Sequence, residues 1–144
     1  MMNISDAISF GSKELTNAGI ENARRDASLL LSNTFERDAA FLISHPEYEL
    51  AEHEKQKFET EIRRRAKREP LQHILGRQEF FGLEFAVSPE VLIPRPETEL
   101  IVEEAIRIFA DRGDFRFLEI GVGSGCISIL ILKNLPQATA VGAD

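Results

Sequence analysis

The chain has 144 residues, 43% of them hydrophobic and 28% charged, the composition of one ordinary folded domain or two small ones and not of a disordered segment. Its 24 acidic against 17 basic residues leave a formal charge of −7, which argues against a dedicated nucleic-acid binder, whose affinity rests on a basic face. The one cysteine, Cys126, excludes an internal disulfide and fits a reducing compartment, while His45, His53 and His73 show no metal-ligand spacing.

The opening "MMNISDAISFGSKEL" has no basic segment followed by an apolar core, so no signal peptide is expected, and no apolar run reaches membrane-spanning length. Residues 1–75 read as helices. Ser5 or Asp6 can cap a first helix carrying Ile8 and Leu15 and closing near Gly19. Asn22 can cap a second, with Ala23, Ala27, Leu30, Leu31 and Thr34 on one face. "RDAAFLISHPE" gives a short third, stopped before Pro46 because the residue preceding a proline disfavours helical dihedrals. A long polar fourth helix, "ELAEHEKQKFETEIRRRAKRE", has Leu50, Phe58 and Ile62 as its sparse apolar anchors; Pro70 ends it, and "PLQHILG" adds a last turn or two before Gly76.

The basic run "RRRAKR" at 63–68 has two readings. One is a patch facing nucleic acid or the ribosome. The other, which the spacing favours, is a solvated helix end: Glu59–Arg63 and Glu61–Arg65 are i,i+4 pairs in the favourable order, and cations suit a helix C-terminus.

From Gln78 the pattern changes to strands. "EFFGLEFAV" places aromatics on both sides of Gly82, a hairpin signal, and the three prolines of "SPEVLIPRPETEL" impose an extended path. "ETELIVEEAIRIFADRG" is an amphipathic helix with Ile101, Ala105, Ile108 and Phe109 expected on its buried face. "FRFLEIG", "SGCISILILKNL" and "ATAVGAD" then read as strand, helix and strand, a βαβ unit with a parallel sheet.

Between the first strand and its helix lies Gly121-Val122-Gly123-Ser124-Gly125. A strand entering a helix through glycines leaves backbone N–H groups pointing outward at a positive helix end. The spacing is G-x-G-x-G. The dinucleotide fingerprint needs glycine where Cys126 stands, and no Lys-Ser/Thr pair follows for a phosphate-binding P-loop. Asp144 ends the next strand, where an acidic side chain can accept hydrogen bonds from both ribose hydroxyls. Loop plus acid indicates an adenosine-containing cofactor, either a nicotinamide dinucleotide or S-adenosylmethionine, with the missing glycine favouring the second.

The block "REPLQHILGRQEFFGLEFAVSPEVLIPRPETELIVEEA" followed by "LEIGVGSGCISI" closely resembles the release-factor glutamine methyltransferase family of the HemK/PrmC type. "LIPRPETE" at 92–99 is the most specific part; "NAGIENARRDASLLL" and "ISHPEYEL" match more loosely. The resemblance implies an α plus α/β architecture: a helical substrate-recognition domain at 1–76, a hairpin and proline-rich linker at 77–96, and from 97 to 144 the first βαβ unit of a Rossmann-like methyltransferase domain. It implies cytoplasmic methyl transfer from S-adenosyl-L-methionine to the side-chain amide nitrogen of the Gly-Gly-Gln glutamine in class-1 peptide chain release factors. By position, Gly121, Val122, Gly123, Ser124 and Gly125 would wrap the methionine and ribose, Asp144 would bind the ribose, and Glu119 would face the cofactor's amino group. Leu92, Pro94 and Arg95 would line the pocket wall, although Arg95 could equally form an ion pair anchoring the linker. The family's Asn-Pro-Pro-Tyr segment, which holds the glutamine amide in line with the sulfonium methyl, does not occur in these residues. The expectation is therefore an N-terminal portion, inactive alone and carrying no catalytic residue of its own. Rival expectations are an amino-methyltransferase of nucleic acid, a non-catalytic helical module that binds a partner and, most remotely, a dehydrogenase.

Overall fold

A computed structural model describes residues 2–144, which form two compact units divided between Leu75 and Gly76. The first unit is helical: α1 (Ile4–Asn17), α2 (Ala23–Phe35), α3 (Ala39–Ser44), α4 (Glu52–Ala66) and α5 (Leu71–Leu75). The cap of α1 is Asn3 rather than Ser5 or Asp6; its side-chain oxygen accepts from the Asp6 N–H at 2.8 Å. At the other end Gly19 takes a left-handed conformation (φ +73°), its N–H bonds Thr16 O, and the Ile20 N–H reaches Leu15 O. This is a Schellman closure, with Ile20 buried behind it. Asp38 caps α3 through the Phe41 N–H. The Glu54 carboxylate reaches back to the Ala51 N–H at the start of α4.

The faces fall where the periodicity puts them. Ala23, Ala27, Leu30, Leu31 and Thr34 of α2 are all buried, as are Phe58 and Ile62 of α4. Leu50 is buried too but precedes α4, beside the isolated bridge between Asn3 and Glu49. α1, α2 and α4 crowd together at Gly11, where an added Cβ would meet Ile62 Cδ1 at 2.8 Å, Phe58 Cζ at 2.9 Å and Ala27 Cβ at 3.1 Å. A helix-interior glycine costs about 1 kcal/mol against alanine, and close packing is what it gains here.

The basic run is absorbed by this unit. Arg63 pairs with Glu59, Arg64 with Glu69, and Arg68 Nη2 donates to Ala18 O. The expected Glu61–Arg65 pair does not form. Arg65 instead crosses to Asp26 on α2 (Nε to Oδ2, 2.8 Å) and also donates to Glu69 O. Glu61 turns to Asn33 and Thr34 at 3.4 Å each, and only 6% of it is exposed. Burial raises its carboxyl above the usual carboxylate value, against the lowering influence of Lys57 and of those two donors. Between the ordinary and the raised value the folded chain holds more proton than the unfolded one, so the stability Glu61 contributes falls as pH rises through that window. Glu61→Gln is therefore expected to flatten the pH dependence, with wild type gaining on the variant as pH falls from 7 toward 4. Denaturation followed by Tyr48 fluorescence checks this, since Tyr48 is the only tyrosine, tryptophan is absent, and Tyr48 lies in the helical unit.

The second unit begins with a hairpin of β1 (Arg77–Phe80) and β2 (Leu83–Ala86), antiparallel, with Phe80 opposite Leu83. Phe81 and Gly82 both have positive φ (51° and 72°), the two-residue turn whose twist matches paired strands. After an irregular stretch, a 3₁₀ turn at Pro96–Thr98 leads into α6 (Glu99–Phe109), followed by β3 (Phe115–Ile120), α7 (Cys126–Asn134) and β4 (Ala138–Ala143). β3 and β4 are parallel, Phe115 opposite Ala138 through Ile120 opposite Ala143. Phe80 and Phe85 of the hairpin pack with Val102, Cys126 and Leu130 in the core of this unit.

One orientation differs from expectation. Val102 is the buried residue of α6, with Ile106 packed beside it, whereas Ile101 and Ile108 are 55% and 54% exposed. Leu118, Ile120 and Val141, on one face of the two-stranded sheet, are exposed as well.

Candidate functional site

β3 alternates along its length, with Phe115, Phe117 and Glu119 half-buried and Arg116, Leu118 and Ile120 exposed. The strand parity thus turns the Glu119 carboxylate inward, two residues before the glycines. The Gly121 N–H donates to Ala143 O at 2.7 Å and prolongs the parallel ladder by one bond. Continued one residue, the same register sets Asp144 across from Gly121.

Gly121, Gly123 and Gly125 all have positive φ (76°, 51° and 74°), conformations that cost a residue with a Cβ about 1–2 kcal/mol each. An added Cβ on Gly121 or Gly123 would meet nothing within 4 Å, so the space beside the loop is open there. The Gly123 N–H donates to Asp144 Oδ1 at 3.2 Å, and the Gly125 N–H closes a turn on Val122 O at 2.8 Å. The N–H groups of Ser124, Cys126 and Ile127 make no hydrogen bond among the described residues, which leaves them as donors at the start of α7. Val122 is half-buried and leans on Gly142, where an added Cβ would approach its Cγ2 to 2.6 Å. Gly142 is a loop-supporting residue that sequence reasoning missed; its glycine reads as an ordinary strand residue until Val122 is seen against it.

Glu119 has a second assignment that its position alone does not reveal. Its Oε2 accepts from the Ser128 N–H at 3.1 Å and from the Ser128 hydroxyl. Ser128 stands in the first turn of α7, so the bond ties the end of β3 to the start of the helix across the loop. The three expected wall residues are less closely gathered. Pro94 is buried, Leu92 is 73% exposed, and Arg95 is exposed and makes no ion pair among the described residues. None of them would meet a Cβ placed on Gly121 or Gly123 within 4 Å. No group of three or more His, Cys, Asp or Glu residues suited to a metal ion occurs among the described residues. No helix there is long and apolar enough to cross a membrane.

Chemically, the loop offers open, Cβ-free backbone, unpaired N–H groups able to meet an anion, and two flanking carboxylates able to accept from hydroxyl or ammonium donors. Residues 6–76 match the PrmC N-terminal domain family model. The helical unit belongs to the PrmC N-terminal domain family. Beyond that domain the likeness continues through the glycine loop. The chain is 47% identical over 130 residues to a release factor glutamine methyltransferase of Geobacter sulfurreducens, covering 90% of this chain and 45% of the relative. It is 38% identical over 143 residues to one of Koribacter versatilis (99% and 51%), and 35% over 144 to one of Coxiella burnetii (100% and 52%). It spans about half the length of these curated relatives.

Proposed function

We propose that the chain supplies the substrate-recognition domain and the S-adenosylmethionine-binding βαβ unit of a Rossmann-like, cytoplasmic release-factor glutamine methyltransferase. In this reading Gly121 to Gly125 cradle the methionine and ribose of S-adenosyl-L-methionine, Asp144 accepts from the ribose hydroxyls, and Glu119 answers the ammonium. Leu92, Pro94 and Arg95 form the outer wall, with Pro94 as its packed point. Class-1 release factors, through their Gly-Gly-Gln loop, are the acceptor. The observation that carries the reading is the triplet of left-handed glycines beside Asp144, on a chain whose helical unit is a PrmC N-terminal domain. When bound, the cofactor supplies the electrophilic methyl group; what these residues do is hold and orient it.

No Asn-Pro-Pro-Tyr segment occurs among the 144 residues, so holding the acceptor amide is not assigned to any of them. The test is ultraviolet crosslinking of methyl-labelled S-adenosylmethionine to the chain, followed by an assay with release factor. Label is expected in the peptide that contains residues 117–144, competed by S-adenosylhomocysteine, with no labelled release factor from this chain alone. Label confined to the helical unit would overturn the cofactor assignment, and methylated DNA in place of release factor would overturn the acceptor.

A further inference from the structure

We propose that Ser128 is a positioning residue: its hydroxyl and amide fix the Glu119 carboxylate so that one oxygen is spent inside the fold and the other is presented to the ammonium of the cofactor's amino-acid tail. The inference rests on the cofactor reading above and adds to it a residue outside the glycine loop.

A glutamate at a strand end has three side-chain torsions and, left alone, samples many orientations; a carboxylate meant to meet a cation must be stopped in one of them. Two donors from one residue converge on Oε2 of Glu119, the amide of Ser128 at 3.1 Å and its hydroxyl. Both are supplied by the first turn of α7, a nine-residue helix whose amides favour negative charge at that end. Oε1 has no partner among the described residues. A carboxylate held through one oxygen by two bonds has little freedom to turn about its last torsion, so the direction of the free oxygen is set by Ser128. The hydroxyl matters more than the amide for this purpose. With the amide alone, a single bond remains as a pivot. With both, the pivot is locked.

The clamp also spans the loop, because Glu119 precedes Gly121 and Ser128 follows Gly125. Loss of the hydroxyl could thus loosen the whole loop, and the test must separate that from a local effect on the ammonium. Two ligands do so. S-adenosylhomocysteine carries the adenosine and the amino-acid tail, whereas 5′-methylthioadenosine keeps the adenosine and lacks the tail.

Calorimetric titration of the full chain with each is expected to show Ser128→Ala weakening S-adenosylhomocysteine roughly tenfold, the scale of one hydrogen bond to a charged group. The same variant should move 5′-methylthioadenosine less than twofold, and Ser128→Thr, which keeps a hydroxyl, should restore most of the loss. Equal weakening of both ligands would overturn the proposal in favour of a merely structural clamp, and so would no weakening of either. Wild type binding neither ligand would overturn the cofactor reading itself, a result distinct from the other two. Circular dichroism of Ser128→Ala matching wild type keeps misfolding from imitating either pattern.

Discussion

Asp26→Ala is expected to cost the helical unit about 3–5 kcal/mol, because it strands a charge in the packed angle between α2 and α4. Arg65 and Asp26 have side chains only 20% and 8% exposed, and they meet at 2.8 Å. Arg65 keeps one further bond, to Glu69 O, which cannot neutralise it. The contrast is with Arg63–Glu59, a surface pair of a class worth about 0–1 kcal/mol. The pair as a whole need not stabilise: removing both charges at once, as in Asp26→Leu with Arg65→Met, is expected to recover most of the loss, since desolvating two ions cancels much of their attraction. Urea denaturation read by Tyr48 fluorescence measures this in the unit concerned. A single-variant cost below 1 kcal/mol would show that water reaches the pair and that it adds little to the joint between α2 and α4.

That pair also marks where the sequence stops informing. Glu61 lies four residues before Arg65 and offers the local partner that helix geometry favours, while Asp26 lies 39 residues away. Nothing in the spacing announces that the helices cross there. The helical elements themselves were readable because α2 and α4 each carry one narrow apolar stripe, so only one face could go inward. In α6 the stripe is too wide. Leu100, Ile101, Val102, Ala105, Ile106, Ile108 and Phe109 cover more than half its circumference, and the choice between an Ile101–Ile108 face and a Val102–Ile106 face rests on what the helix meets. Caps show the same limit. Asn3, Ser5 and Asp6 are all competent, and the backbone path selects Asn3.

The site divides along similar lines. Three alternating glycines between an apolar strand and an apolar helix form a local signal, and the positive φ at each is a conformation glycine adopts without steric cost. Asp144 was legible through strand counting, since a βαβ unit returns the second strand beside the first. Ser128 and Gly142 were not. Each acts through a residue on another element, Ser128 on Glu119 and Gly142 on Val122, and neither is unusual where it stands. The glycines and Asp144 leave local patterns, whereas residues that hold their neighbours in place are found through contacts.

Asp144→Asn is expected to weaken S-adenosylhomocysteine by roughly 10- to 150-fold, the equivalent of about 1.5–3 kcal/mol for a hydrogen bond to a charged acceptor. Asparagine keeps an oxygen for the Gly123 N–H, so the tether that sets the loop beside β4 survives. It replaces the second acceptor with a donor, and a ribose diol needs two acceptors on one side chain. The loss should therefore follow the ribose and not the tail. 5′-Methylthioadenosine should weaken as much as S-adenosylhomocysteine, and the 2′-deoxy analogue of the latter should weaken much less. Ser128→Ala, by contrast, spares the ligand without a tail. Loss that follows the ribose hydroxyls in one variant and the tail in the other would place the ribose at the β4 end and the ammonium at the α7 end. A dinucleotide lying along the same glycines has no ammonium to lose, so it would respond to Asp144→Asn alone.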